Sequence, residues 1–155
     1  MIGTLAIAAL ALSLILVAVL LVSLAPPRFR LALWCLVIVL GVAPWWSAEG
    51  HAHWDRVQWV PFVPPPMFSA RDVVVNVALY VPFGLFAGGA RPGARHAGLV
   101  VAAAVALSAA TELTQVYSHG RFPAVTDVAL NAAGAGLGLW LGRRRGRARY
   151  HSGDA

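Results

Sequence analysis

Long apolar runs separated by short polar connections form the main pattern of the sequence. An α-helix rises about 1.5 Å per residue, so about 20 apolar residues can cross the roughly 30 Å hydrocarbon core of a membrane. The apolar runs cover residues 1–25, 31–46, 73–90, 97–117 and 125–142. The second run, residues 31–46, is short for a membrane span, and it ends in Pro44 and the pair Trp45-Trp46, a residue type common at membrane interfaces. We therefore predict an all-α polytopic membrane helix bundle with five transmembrane helices.

The first run could also be compared with a secretory signal peptide. It contains no charged residue, and it ends in Leu24-Ala25-Pro26-Pro27. A signal peptide would show a basic start, a shorter apolar stretch and an A-x-A-like cleavage site. We therefore interpret residues 1–25 as a retained transmembrane helix.

The stretch between the second and third runs, residues 47–71, mixes charged, histidine, proline and aromatic residues. Four of the six tryptophans of the chain lie between positions 45 and 59. Tryptophan is enriched where a membrane meets water. We expect this segment to lie along the outer membrane surface without crossing the membrane.

Arginine positions predict the orientation of the bundle. With five spans, nine arginines fall on one side of the membrane and three on the other. Because basic residues concentrate on the cytoplasmic side, we expect the N-terminus outside and the C-terminus inside a bacterial plasma membrane. The nine are Arg28, Arg30, Arg91, Arg95, Arg143, Arg144, Arg145, Arg147 and Arg149, and the three are Arg56, Arg71 and Arg121.

The chain thus divides into one transmembrane domain, residues 1–142, and a basic cytoplasmic tail, residues 143–155. The tail either anchors the last span or binds anionic lipid headgroups, at about 1 kcal/mol per arginine. The net charge of +6 is then a signal of topology. We expect membrane lipids, and not nucleic acid, as partners.

Composition agrees with this assignment. Apolar residues make up 59% of the chain and charged residues 12%, about half the charge of an ordinary soluble domain. This excludes a typical water-soluble globule and a disordered chain. The single cysteine, Cys35, excludes an intrachain disulfide framework.

The sequence contains almost no catalytic or metal-binding motif that would indicate another class of protein. There is no P-loop, GxGxxG, GxSxG or HExxH motif, so nucleotide chemistry and the common hydrolase layouts have no basis. His51-x-His53, beside Glu49 and Asp55, has the residue types of a Zn²⁺ or Cu²⁺ site. Two histidines in a loop without further ligands are more simply explained as solvated residues. We therefore expect no metal and no cofactor.

Polar side chains inside three of the runs recur at helical spacing. Residues three or four apart share one helix face, and a charge in mid-span costs roughly 2.5–3.5 kcal/mol even on the mildest scale. Counted from the outer ends of their spans, Asn76, Glu112 and Asn131 lie at one level, about 6–9 Å deep. The sets are Asp72, Asn76 and Tyr80; Ser108, Glu112 and Gln115; and Asp127 and Asn131.

Three ionisable residues stand out as a candidate site in the outer leaflet. Glu112 and Asp127 lie inside or near spans, and Arg121 is in the short outer loop between them. Arg121 could form a bidentate pair with either acid and offset part of its burial cost. Because intramembrane ionisable residues usually mark a function, we favour a functional role for this group.

A structural role is the open alternative for the remaining polar and small residues. The amides of Asn76, Gln115 and Asn131 could equally well form hydrogen bonds between helices. Pro82 predicts a kink that frees the carbonyl of Ala78. Glycines spaced four apart allow close helix packing, and they are Gly84, Gly88, Gly134, Gly138 and Gly142.

Four short elements together resemble the VanZ-like family. They occur in the order and spacing of that family over residues 57–142, and the combined set is specific although each element alone is weak. The elements are Val57-Gln58-Trp59-Val60-Pro61-Phe62; Asp72-xxx-Asn76-Val77-Ala78-Leu79-Tyr80-Val81-Pro82-Phe83-Gly84; Glu112-Leu113-Thr114-Gln115; and Arg121-x₅-Asp127-xxx-Asn131-xx-Gly134.

The resemblance implies a small multi-pass protein of the cell envelope. The family is named after a teicoplanin-resistance protein that lowers susceptibility to lipoglycopeptides, and most members have no assigned reaction. Gln58, Ala124 and Thr126 depart from the common pattern, the last two at positions where many members carry further acids. Carried over residue by residue, the resemblance implies a ligand-binding set of Asn76, Glu112, Gln115, Arg121, Asp127 and Asn131.

Two classes of function follow. In the first, the outer cluster binds a lipid-linked or glycopeptide-type molecule and thereby affects glycopeptide susceptibility. In the second, Glu112 and Asp127 act as an acid/base pair on a lipid headgroup or polyprenyl-phosphate carrier, with Arg121 on a phosphate. A transporter is weaker, because five spans without an internal repeat provide no alternating-access pair.

Overall fold

The computed structural model describes residues 2–42, 52–63, 69–88, 94–117 and 122–151. Within these ranges the chain forms five α-helices, a 3₁₀ turn at Trp54–Arg56 and no β-strand. The helices are α1 (Ile2–Leu24), α2 (Pro27–Val42), α3 (Ala70–Gly88), α4 (Ala94–Gln115) and α5 (Val125–His151). Several sequence predictions concern residues outside the described ranges, namely those on Trp45, Trp46, Glu49, His51, Arg91 and Arg121.

The all-α class is confirmed, since each of the five apolar runs contains one helix. Two helical stretches, Ala70–Gly88 and His96–Gln115, are long and apolar enough to cross a membrane, judged by length and composition. The five-span arrangement and its orientation stay predictions.

Four helices extend into segments that were expected to be connections, and α2 and α5 extend furthest. The helix α2 begins at Pro27, because proline has no N–H and suits the first helical position. Arg28 and Arg30 therefore lie in its first turn instead of before it. At the other end of the chain, α5 continues past Gly142 through the arginine run to His151. Arginine is a good helix former, so the run extends the helix.

The helices α3 and α5 form the most extensive helix pair of the described bundle. A Cβ atom at Gly84 would collide with the Ala135 carbonyl, and one at Gly138 with the Val81 carbonyl. Gly134 faces the Val77 carbonyl in the same way. The prediction that the glycine stripes permit close approach of two helices is confirmed.

The helix α2 docks on α3 through Trp34, which is fully buried. Its indole Nε1–H donates a 2.9 Å hydrogen bond to the backbone carbonyl of Leu79. Pro82 lies in the same part of α3 and has no N–H for the carbonyl of Ala78. The indole bonds the carbonyl next to that of Ala78 and so ties α2 to the part of α3 that contains the proline.

A cap segment, residues 52–63, folds over the ends of α4 and α5. Its Gln58 N–H donates to the Pro123 carbonyl at 2.8 Å, and the Gln58 carbonyl accepts from Val125 N–H at 3.1 Å. His53 N–H donates to the Val116 carbonyl at 2.9 Å. The cap segment and the α4–α5 connection therefore lie at one end of the bundle, which we call the loop end.

Candidate functional site

Glu112 lies in the last turn of α4, at the loop end, with its side chain half-buried. Its Oε2 atom accepts a 2.9 Å hydrogen bond from the backbone N–H of Ala124. Ala124 immediately precedes α5, and the start of a helix has backbone N–H groups without intrahelical partners. Negative charge is also favourable there, because the helix dipole is positive at its N-terminus. Glu112 therefore ties α4 to the beginning of α5.

An open groove lies beside Glu112 and is lined almost entirely by apolar atoms. Its volume is about 190 Å³, and Glu112 is the one ionisable residue among its described lining residues. Two tryptophans of the cap segment, Trp54 and Trp59, form part of the wall and are 51% and 67% exposed. We call this the α4–α5 groove; it is lined by Trp54, Val57, Trp59, Ala109, Glu112, Leu113, Val116, Pro123, Ala124, Val125 and Val128.

Asp127 lies in the first turn of α5, where a carboxylate is electrostatically favourable. Its side chain is half-buried, and its backbone N–H donates to the Ala124 carbonyl at 3.1 Å. It does not belong to the lining of the α4–α5 groove. The predicted pairing of Arg121 with Glu112 or Asp127 concerns a residue outside the described ranges.

Asn131 lies deeper in the bundle than Glu112. Its Nδ2 donates a 2.8 Å hydrogen bond to the Ser108 hydroxyl, and both side chains are buried. Ser108 precedes Glu112 by one helical turn on α4. Glu112 and Asn131 therefore occupy two successive levels, whereas counting along separate helices placed them at the same depth. Helices do not begin at equal heights, so a count along each chain segment misses such an offset.

The two remaining predicted site residues are not part of the groove lining. Asn76 lies half-buried on α3, one turn before Tyr80, and Gln115 is buried at the end of α4. The structure thus brings together Glu112 with the start of α5 and Asn131 with Ser108. It leaves Asn76 and Gln115 apart from the α4–α5 groove.

Asp72, on the polar face of α3, has a local structural role. Its Oδ2 accepts from the Ser69 hydroxyl at 2.6 Å and from the Ser69 N–H at 3.1 Å. The Asp72 N–H donates back to Ser69 Oγ at 3.4 Å, which completes a capping box at the start of α3. Its Oδ1 pairs with the Arg71 guanidinium at 3.0 Å. These contacts explain why α3 begins at Ala70, before the apolar run.

Two features of the site were missed from the sequence. The Thr126 hydroxyl accepts a 2.7 Å hydrogen bond from Phe62 N–H and thereby attaches the cap segment to α5. Trp54 and Trp59 were assigned to the membrane interface and not to a groove. A threonine in a first helical turn is a weak signal alone, and tryptophan positions do not reveal which helix they will contact.

Comparison with known proteins identifies the family. A family model described as VanZ/LLP1 matches residues 12–145. The chain belongs to the VanZ/LLP1 family. The VanZ-like resemblance is thereby confirmed, and the match extends it from residues 57–142 to α1 and α2. No curated protein and no solved structure gives a significant match.

Proposed function

We propose that this VanZ/LLP1 protein is a five-span protein of the bacterial plasma membrane that binds an amphipathic, lipid-linked or glycopeptide-type molecule at its loop end. The apolar chain of the ligand lies in the α4–α5 groove, and the polar part lies near Glu112. The observation that carries this proposal is the apolar groove with one carboxylate, Glu112, among its described lining residues.

The shape and lining of the groove favour a hydrocarbon chain as occupant. Its volume of about 190 Å³ is below the roughly 300–1,000 Å³ of sites that enclose a whole drug-sized ligand. The groove therefore suits a segment of chain, with the rest of the molecule outside. Trp54 and Trp59 can cover such a chain on the cap side, since aromatic rings bury large apolar areas.

The Glu112 carboxylate indicates which polar group of the ligand should follow its hydrocarbon chain. A carboxylate beside an apolar wall interacts favourably with a hydrogen-bond donor or a cation, and it repels an anion. We expect an amine, amide or hydroxyl of the ligand near Glu112. The sequence additionally predicts that Arg121 holds an anionic group such as a phosphate. A ligand with both a hydrogen-bond donor and an anionic group fits the headgroup of a lipid-linked envelope precursor or the polar body of a lipoglycopeptide.

The arginine asymmetry supports an outward position of the loop end, in the leaflet that such a ligand would reach. The enzymatic alternative has less support. One oxygen of the Glu112 carboxylate already accepts the Ala124 N–H, and Asp127, the second acid of the pair, is not among the described lining residues of the groove.

Photolabelling tests the groove directly. The purified protein is reconstituted in phosphatidylglycerol/phosphatidylethanolamine vesicles with a polyprenyl phosphate carrying a diazirine on its chain, and labelled peptides are mapped by mass spectrometry. We expect labels on the cap segment and on α4 and α5 beside the groove. The variant Ala109→Phe fills the groove and should remove most of this labelling.

The matched control is Ala110→Phe. Ala109 and Ala110 are both exposed on α4, but only Ala109 lines the groove. Equal labelling of the two variants, or labels spread evenly over lipid-facing helices, would contradict groove binding.

The lipid composition of a deletion strain, compared with that of its complemented parent, separates the two functional classes, because an enzyme changes a headgroup or carrier pool. Susceptibility to teicoplanin in the same strains tests the connection with glycopeptides.

A further inference from the structure

A buried polar cluster lies where α3, α4 and α5 meet, and the proposed ligand site does not include it. The cluster consists of Tyr80 on α3, Ser108 and Thr111 on α4, and Asn131 on α5. Asn131 Nδ2 donates to the Ser108 hydroxyl at 2.8 Å, and the Thr111 hydroxyl donates to the Ser108 carbonyl at 2.7 Å. The Tyr80 hydroxyl approaches the side chains of Ser108 and Thr111 but makes no hydrogen bond of full distance and angle to either.

Two polar atoms of this cluster have no hydrogen-bond partner among the described residues. They are the Tyr80 hydroxyl oxygen and Asn131 Oδ1. The Tyr80 side chain is 1% exposed and the Asn131 side chain 4% exposed, so neither atom can be satisfied by bulk solvent. Native proteins rarely leave such buried groups unpaired, and ordered water is the usual partner where protein atoms are missing.

We propose that at least one ordered water molecule is bound in the buried polar cluster. It accepts a hydrogen bond from the Tyr80 hydroxyl and donates one to Asn131 Oδ1. Both side chains adjoin Ser108, so a water beside Ser108 is within reach of each. Water fits because it offers two donors and two acceptors, and a buried water typically makes about three hydrogen bonds.

The bound water has a structural consequence for α4. This helix contacts α3 over a much smaller surface than α5 does, so polar contacts through the cluster matter for its position. Ser108 lies one turn before Glu112 on α4. The water therefore helps to hold the helix that carries Glu112, whether or not the α4–α5 groove binds a lipid-linked molecule.

X-ray radiolytic footprinting of the full-length protein in nanodiscs tests the proposal. Bound water beside a buried side chain generates hydroxyl radicals in place, so the side chain is oxidised despite its burial. Tyr80 and Trp34 are both almost fully buried, and the Trp34 indole bonds to protein. We expect Tyr80 to be modified several-fold faster than Trp34, although tryptophan is the more reactive residue. Protection of Tyr80 equal to that of Trp34 would overturn the proposal.

The direction in which Tyr80→Phe changes the unfolding temperature provides a second test. If water satisfies the hydroxyl, Tyr80→Phe removes a hydrogen bond, strands the water and lowers the unfolding temperature. If the hydroxyl is unsatisfied, its removal deletes a buried polar group and raises that temperature. Tyr117→Phe is the control, because Tyr117 is exposed and should tolerate the change. A higher unfolding temperature for Tyr80→Phe overturns the proposal, as does a lower one combined with full protection of Tyr80 from footprinting.

Discussion

At the scale of single residues, Glu112 combines a structural and a proposed binding role. Its carboxylate holds the Ala124 N–H at the start of α5 and also forms the polar part of the α4–α5 groove wall. The two roles depend on different properties. A backbone N–H requires an acceptor oxygen, whereas recognition of a cationic or donor group is strengthened by full negative charge.

The substitution Glu112→Gln separates these roles. Glutamine keeps an acceptor oxygen of the same reach, so we expect normal membrane abundance and an unfolding temperature close to that of the wild type. Photolabelling of the groove and any cellular phenotype should fall strongly. Glu112→Ala strands the Ala124 N–H and should also cost about 1–3 kcal/mol of unfolding free energy. Full labelling and phenotype in Glu112→Gln would show that the carboxylate is not the working group.

Also at the residue scale, Trp34 ties α2 to α3 through a buried hydrogen bond. Trp34→Phe removes the donor to the Leu79 carbonyl, which lies next to the carbonyl that Pro82 leaves without its helical donor. We expect a loss of about 1–3 kcal/mol in the free energy of unfolding, measured in detergent. The control is Trp140→Phe, since Trp140 is exposed on α5. Equal effects of the two substitutions would mean that the hydrogen bond from Trp34 to Leu79 does not stabilise the fold.

At the scale of helices, α3 and α5 form the most extensively packed pair of the described bundle. Its axes approach closely because glycines of one helix face backbone carbonyls of the other. In a membrane, where lipid removes most of the hydrophobic drive for helix association, such close packing is a main source of attraction. The cap segment and α4 are then arranged around this pair.

The glycine contacts predict a sharp difference between two neighbouring substitutions. In Gly138→Ala the new methyl group meets the Val81 carbonyl, whereas at Gly136 nothing lies within 4 Å. We expect Gly138→Ala to lose about 3 kcal/mol, at the upper end of the range for overpacked sites, and Gly136→Ala to lose nothing or to gain up to about 1 kcal/mol, because alanine is the better helix former. Thermal unfolding in detergent measures both. Tolerance of Gly138→Ala would mean that α3 and α5 can separate without cost.

At the scale of the whole molecule, the hydrogen bonds of the cap segment connect the topology to the site. They place residues 52–63 at the same end as the α4–α5 connection, so in the proposed membrane topology both lie on one side of the membrane. The arginine distribution predicts that this side is the exterior. The ligand proposal depends on that orientation, because a lipid-linked envelope precursor is displayed outside.

Reporter fusions and cysteine labelling test the orientation. An exterior-active reporter should be silent when fused after Ala155 and active when inserted in residues 118–123. In a Cys35→Ser background, a membrane-impermeant maleimide should label Val60→Cys in intact cells and should not label Arg144→Cys until the cells are opened. Val60 and Arg144 are both exposed, so a difference in their labelling reports the side of the membrane and not the burial of the residue. Reporter activity at Ala155 would reverse the orientation and remove the outer-leaflet site.

The sequence by itself determined the number, type and approximate position of the helices. Long apolar runs in a membrane must satisfy their backbone hydrogen bonds internally, which leaves the helix as the local solution. The glycine spacing likewise indicated close helix packing, and the motif set identified the family. These properties depend on residues near each other along the chain, so periodicity and composition are sufficient to reveal them.

Only the tertiary structure decided which polar groups meet. Asn131 pairs with Ser108, 23 residues away, and Phe62 N–H binds Thr126, 64 residues away. Helical periodicity shows which residues share a face, but it does not show which neighbour that face contacts or how far one helix is shifted along another. The pairing of Glu112 with Ala124, the two levels of polar contacts and the groove beneath the cap tryptophans all depend on those rotations and shifts.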